Sequence, residues 1–156
     1  MNIKEAAVRY LENRPRTCKE MHDRLIEKGF ETDDIEKTIE ELKELNYLND
    51  IEYVPVYINY GFSKGKGIKL IKYELFEKGV SSNDIEDGIA LYEEEYGYDF
   101  YEDERERAMN QAQKVTDGAV PDEKMVGRIV RRLSAKGYDQ NIIWSVVEEL
   151  KKGEIE

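Results

Sequence analysis

The stretch Lys64-Gly65-Lys66-Gly67 is where this sequence comes nearest to a phosphate-binding loop, with glycines for a tight turn and lysines for charge. Such a loop needs a preceding strand, a four-residue gap between its glycines and a Lys-Ser/Thr ending. None is present, and Ile68 stands where the hydroxyl belongs. The stretch reads instead as a flexible basic tip that contacts a filament or a DNA backbone, with a plain solvated loop as the other reading. Nucleophilic chemistry has little to work with. The chain has one Cys, Cys18, and one His, His22. Cys18 falls near an expected helix start, which favours a thiolate, but no base or pocket accompanies it. Nothing beside His22 suggests a triad. One Cys and one His exclude an internal disulfide and a Cys/His zinc site. Acidic side chains are too abundant for any pair to stand out. The expectation is a protein that is not an enzyme and uses no cofactor or metal.

The cations are more informative. The 156 residues hold 24 Lys and Arg against 35 Asp and Glu, a net charge of −11. Taken alone, that figure argues against a phosphate-bearing partner. The charge is unevenly placed, however. Residues 14–28 carry a net +2, residues 64–78 +3 and residues 124–136 +5, so these segments hold +10 and the rest −21. Arg14, Arg16, Arg24, Lys64, Lys66, Lys69, Lys72, Lys124, Arg128, Arg131 and Arg132 are the candidate binding residues. Lys28, Lys78 and Lys136 stand at expected helix ends, where a cation answers the helix dipole.

These residues must be positioned by helices, and the helices repeat. Leu25-Ile26-Glu27-Lys28-Gly29-Phe30 recurs as Leu75-Phe76-Glu77-Lys78-Gly79-Val80 and as Leu133-Ser134-Ala135-Lys136-Gly137-Tyr138. Eight residues before each Gly stands Met21, Ile71 or Ile129; six after it, Ile35, Ile85 or Ile143; ten after it, Ile39, Ile89 or Val147. Apolar residues at these spacings line one helix face on each side of a left-handed glycine cap. The repeat motif is therefore Leu25, Gly29, Ile35; Leu75, Gly79, Ile85; and Leu133, Gly137, Ile143. Thr17-Cys18-Lys19-Glu20 is a capping box opening a helix to about Lys28. Asp33 or Asp34 opens the next, to about Leu45, where Asn46 breaks it. A further helix precedes each capped pair, over Lys4–Asn13, Asp50–Tyr60 and Glu104–Lys114.

The fold expected is all-α: nine helices in three tandem three-helix repeats. Their limits are residues 1–49, 50–92 and 104–156, with an acidic connecting segment at 93–103. Each basic segment then falls on a middle helix, where stacking would align the charges into a stripe. On the third, Lys124, Arg128 and Arg131 share a face opposite Val126, Val130 and Leu133. Phe62–Gly67 and Thr116–Pro121 read as loops, and Pro121 as a helix start. Pro55 sits badly in its helix and predicts a kink or a late start. Residues 92–107 interleave eight acids with Tyr96, Tyr98, Phe100 and Tyr101, a linker whose aromatics pack on neighbouring helices or an acidic surface for a basic partner. Tyr53, Tyr57 and Tyr60 offer either a stacking face for bases or interhelix contacts. Trp144 reads as core and His22 as surface. No apolar run is long enough to span a membrane and no signal sequence is evident, so the chain is expected in the cytoplasm.

Three blocks also resemble the bacterial RecX family: Tyr10-Leu11 through Arg14-Pro15-Arg16-Thr17 to Lys28-Gly29-Phe30; Leu42 to Leu45-Asn46-Tyr47-Leu48-Asn49-Asp50; and Lys64-Gly65-Lys66-Gly67-Ile68 to Lys78-Gly79-Val80. The third repeat is a looser match. The resemblance implies tandem three-helix repeats in an elongated, curved array, and a regulator of the RecA recombinase, usually an inhibitor. Such a protein binds the groove of the RecA filament on single-stranded DNA. The acidic remainder of the chain predicts weak binding to DNA itself, and a monomer is expected. A helix-turn-helix duplex binder and a helical adaptor with no DNA role are the alternatives.

Overall fold

The computed structural model describes residues 1–97 and 99–153, and among these it holds nine helices and no strand. They are α1 Ile3–Leu11, α2 Cys18–Glu27, α3 Thr32–Glu44, α4 Asp50–Ser63, α5 Ile68–Glu77, α6 Ser82–Tyr96, α7 Phe100–Thr116, α8 Glu123–Lys136 and α9 Gln140–Lys151. Contacts divide them into two compact units. The first comprises Met1–Val56 and Glu74–Tyr92, the second Tyr57–Tyr73 and Glu93–Glu156.

In the first unit Ala7, Met21, Leu25, Ile35 and Leu48 form the centre of one core. In the second, Ala108, Ala112, Ile129, Leu133 and Ile143 belong to another, with Val146, Val147 and Leu150. Each fully buried Leu or Ile contributes about 2–3 kcal/mol. The repeat motif accounts for these positions. Met21, Leu25 and Ile35 are buried, as are Ile71, Leu75 and Ile85, and Ile129, Leu133 and Ile143.

The three glycines close their helices alike. Gly29, Gly79 and Gly137 have φ of 90°, 92° and 90°. The N–H of the residue after each donates to a carbonyl five residues back, at 3.2, 3.0 and 3.1 Å, as a Schellman cap requires. The capping box at Thr17 and Glu20 is formed. The start of α3 differs from the expectation. Its N-cap is Glu31, without a side-chain cap bond, and Asp33 and Asp34 lie inside the first turn, where their charge still answers the dipole. Pro121 likewise precedes the N-cap, Asp122, instead of starting α8.

Pro55 neither delays nor ends α4, which begins at Asp50 behind Asn49, whose side chain accepts the Glu52 N–H at 3.0 Å. Proline cannot donate to the carbonyl four residues back, here that of Ile51. That oxygen faces α6 at Gly88, where an added Cβ would lie 2.8 Å from it and would overlap Val54. The acidic stretch is largely helical: residues 93–96 lie in α6 and 100–103 in α7. Tyr98 lies outside the described residues, as do the side chains of Phe100 and Tyr101. Trp144 is 46% exposed, because Ile142, Ile143, Val146, Val147 and Leu150 occupy the inward face of α9 and turn it outward.

In each unit the start of one middle helix meets the end of another. In the first unit Thr17 Oγ1, which caps α2, donates to the carbonyl of Lys78 at the end of α5 at 2.7 Å. In the second, the Gly67 N–H at the start of α5 donates to the carbonyl of Lys136 at the end of α8 at 2.8 Å. Thr17 and Gly67 occupy the same place in successive repeats, as do Lys78 and Lys136. The approach is close. A Cβ at Gly79 would overlap the Lys19 side chain, and one at Gly137 would overlap the backbone of Leu70, whereas one at Gly29 meets nothing within 4 Å. Gly29→Ala should therefore cost only the left-handed strain, about 1–2 kcal/mol. Gly137→Ala should cost distinctly more, read as the larger drop in Tm by circular dichroism; equal losses would contradict the end-to-end packing.

Candidate nucleic-acid interface

The loop 64–67 is built from the end of α4 and the start of α5. Gly65 has φ 76° and closes α4, its N–H donating to the Phe62 carbonyl and that of Lys66 to Gly61, both at 3.0 Å. The Gly67 N–H goes to Lys136, and the Ile68 N–H to the Glu104 carboxylate at 3.1 Å. Every amide from Gly65 to Ile68 is thus used inside the protein, leaving none to cradle a phosphate. The carbonyls are held as well: Gly65 accepts the Tyr138 hydroxyl at 2.7 Å, and Lys64 accepts Lys136 Nζ at 3.2 Å. The expected flexible tip is therefore a pinned loop. Its glycines answer to space: a Cβ at Gly65 would overlap Gln111, and one at Gly67 would sit 2.5 Å from the Gly137 carbonyl oxygen.

Pinning the backbone leaves chemistry to the side chains. Lys64 is exposed, and the Lys64 and Lys66 ammonium groups each lie 5.7 Å from the Tyr60 ring centroid. Of the three tyrosines at helical spacing, Tyr53 is core and Tyr57 half-buried, while Tyr60 is 50% exposed. Arg107 lies over the Phe62 ring at 3.5 Å and pairs with the buried Glu104. Beside this loop is an open depression of about 450 Å³, lined by Ser63, Lys64, Arg107, Asn110, Gln111 and Lys114 among others. Gln111 is buried, and its Oε1 accepts both Nε and Nη2 of Arg132, at 3.2 and 3.1 Å. Lys69, Lys124, Arg128 and Arg131 are exposed and make no ion pair or hydrogen bond among the described residues. Lys72 is half-buried on α5.

The candidate binding residues of the first unit, Arg14, Arg16 and Arg24, are engaged at home. Arg14 pairs with Glu20 at 3.0 Å and donates to the Tyr53 hydroxyl at 3.3 Å. Arg16 donates to the Tyr10 carbonyl at 3.1 Å and lies 3.9 Å above the Tyr10 ring, where Arg24 also approaches, at 5.4 Å. Burial pulls the Glu20 carboxyl up, but hydrogen bonds from Arg14 and the Thr17 amide, with Lys78 nearby, hold it below the usual range. Cys18 departs from the thiolate expectation. Burial, then the Asp50 carboxylate, pushes its thiol up to about 12, so it keeps its proton. The helix start it was to exploit is already answered by Asp50, whose Oδ1 accepts the Cys18 N–H at 2.9 Å.

The basic loops and glycine caps invite comparison with known proteins. The regulatory protein RecX of Clostridium perfringens (strain 13 / Type A) is 36% identical over 158 residues, spanning 99% of this chain and 71% of that protein. The chain belongs to the RecX family. A family model described as the first three-helix domain of RecX matches residues 4–42. The regulatory protein RecX of Vibrio parahaemolyticus serotype O3:K6 is 34% identical over 88% of this chain and 84% of its own. The crystal structure of RecX from Lactobacillus salivarius matches with a TM-score of 0.80 and 29% identity, over 96% of this chain and 95% of that one. The helical-repeat fold of this chain follows from its helices and from that likeness together. Among the described residues no helix is long and apolar enough to cross a membrane.

Sequence reasoning missed three members of the depression, Arg107, Asn110 and Lys114, because they lie on α7, far along the chain from the loop they face. Glu104, on the same helix, has a testable signature. Burial raises its carboxyl, and the Ile68 amide and Arg107 only partly offset this, so the net shift is upward. The folded chain then holds this proton more tightly than the unfolded one, so the group favours folding at low pH and loses that contribution as pH rises through its raised value. The stability of wild type relative to Glu104→Gln should fall in urea titrations as pH rises from below the ordinary carboxylate range to above it. A constant or rising difference would contradict the buried-acid assignment.

Proposed function

We propose that this chain regulates the RecA recombinase, as an inhibitor, by binding in the groove of the RecA filament on single-stranded DNA. There it limits filament growth, ATPase and strand exchange in recombination and repair. It acts as a monomer, in the cytoplasm, with weak affinity for DNA alone, and its role is regulatory rather than catalytic. The observation that carries the reading is membership of the RecX family together with a group of exposed cations on the second unit, Lys69, Lys124, Arg128 and Arg131, that are unpaired among the described residues. Helix capping requires none of the last three, and burial requires none of the four. Opposite them on α8, Ile129 and Leu133 are buried and Val126 and Val130 pack against the core, so the cationic face is free to meet a polyanion. The negative remainder of the chain opposes indiscriminate coating of bare DNA.

The test is RecA ATPase on single-stranded DNA with increasing amounts of this protein. The rate should fall at or below stoichiometric ratios, and Arg128→Glu with Arg131→Glu should raise the concentration needed by tenfold or more without loss of helicity. No effect of the wild-type chain at stoichiometric ratio would refute the proposal.

A further inference from the structure

The second unit's depression has a counterpart. In the first unit an open cleft of about 570 Å³ is lined by Arg14, Pro15, Asn49, Glu52, Tyr53 and Val56 among others. The two are the same place in successive repeats. Arg14 and Arg16 precede the Gly of their repeat by as many residues as Lys64 and Lys66 precede theirs, and Tyr10 corresponds to Tyr60. Across each cleft the wall is the first helix of the following repeat, where Asn49, Glu52, Tyr53 and Val56 correspond to Arg107, Asn110, Gln111 and Lys114.

The shared frame carries different charge. The first cleft sets Arg14 and Arg16 against Glu12 and Glu52, and Arg14 is already held by Glu20. The second has Lys64, Arg107 and Lys114 and, among the described residues, no acid in its lining. Arg107 is taken by Glu104, but Lys114 is exposed and unpaired among the described residues, and Lys64 is exposed beside it. Asn110 adds an exposed amide, and the half-exposed Tyr60 ring stands next to Lys64.

We infer that the cleft of Lys64, Asn110 and Lys114 binds the phosphodiester backbone of single-stranded nucleic acid, with Tyr60 offering a ring on which a base stacks, and that the equivalent cleft at Arg14 does not. This names the nucleic-acid site within the function proposed above, and rests on that reading only for its biological use. The chemistry favours nucleic acid over an acidic peptide because a stacking ring adjoins the cations. Base–aromatic stacking is sequence-tolerant and joins phosphate pairing in proteins that bind single strands. The amides of the loop being consumed, the side chains alone must supply the donors.

The experiment is fluorescence anisotropy of a labelled oligothymidylate with the full chain, without RecA, across salt concentrations. Lys64→Glu with Lys114→Glu, both at exposed positions, should weaken binding at least tenfold and lower the salt slope by about 1.4, the value for two lost phosphate contacts on a single strand. Tyr60→Ala should weaken it severalfold with the slope unchanged. Arg14→Gln, checked for native helicity, should bind within twofold of wild type. Unchanged binding by the double Lys variant, an equal loss in Arg14→Gln, or competition by polyglutamate as effective as by oligothymidylate would each overturn the site. The RecA assay separates the two ideas. A chain that binds oligothymidylate through these lysines without affecting RecA keeps the site and loses the function. One that inhibits RecA while the double Lys variant binds as wild type keeps the function and loses the site.

Discussion

The hydrogen bond from the start of one middle helix to the last carbonyl of another is the contact on which the remaining structure depends. It occurs once in each compact unit, Thr17 to Lys78 and Gly67 to Lys136, with the left-handed glycine next to the accepting carbonyl each time. Such a bond nets only about 1 kcal/mol, but leaving its buried groups unpaired costs about 1–3 kcal/mol. The arrangement also brings the positive start of one helix to the negative end of another. It demands that no side chain stand between them, which is why Gly79 and Gly137 are sterically confined while Gly29, which has no such neighbour, is not.

That contact fixes the loops that carry the cations. Because the Gly67 amide is spent on Lys136, and the Ile68 amide on Glu104, residues 64–67 have a defined path and their lysine side chains have a defined origin. In the first unit Thr17 does the same for Arg14 and Arg16, whose side chains then fold back onto Glu20 and Tyr10. One scaffold thus serves two outcomes: cations locked into the fold in the first repeat, and a cation, Lys64, presented to solvent in the second. The net charge of −11 conceals both.

Much of this was legible in the sequence, and the rest was hidden for identifiable reasons. The glycine caps, the Thr17 capping box and the apolar register are local signals, and local geometry dictates them. The RecX resemblance rested on the same blocks. Helix α8 read correctly, with Lys124, Arg128 and Arg131 outward, because an amphipathic period is a property of one segment. Long-range effects were invisible. Lys64-Gly65-Lys66-Gly67 looked loose because its partners, Tyr138, Lys136 and Glu104, lie far along the chain. Pro55 looked disruptive because the glycine facing the Ile51 carbonyl to which it cannot donate, Gly88, is on another helix. Trp144 looked buried because five smaller apolar neighbours on α9 filled the face that size alone would have assigned to it. Cys18 looked activated because the carboxylate that occupies its helix start, Asp50, belongs to α4.

The central claim, that the repeats are organised by this buried end-to-end hydrogen bond, is tested most directly by native-state hydrogen exchange at the Gly67 amide. A loop glycine in solvent exchanges almost at its intrinsic rate. Bonded to the Lys136 carbonyl, this amide should instead exchange as slowly as core amides of α8 such as that of Leu133, opening only with the unit as a whole. Exchange at the rate of an unstructured loop would contradict the account.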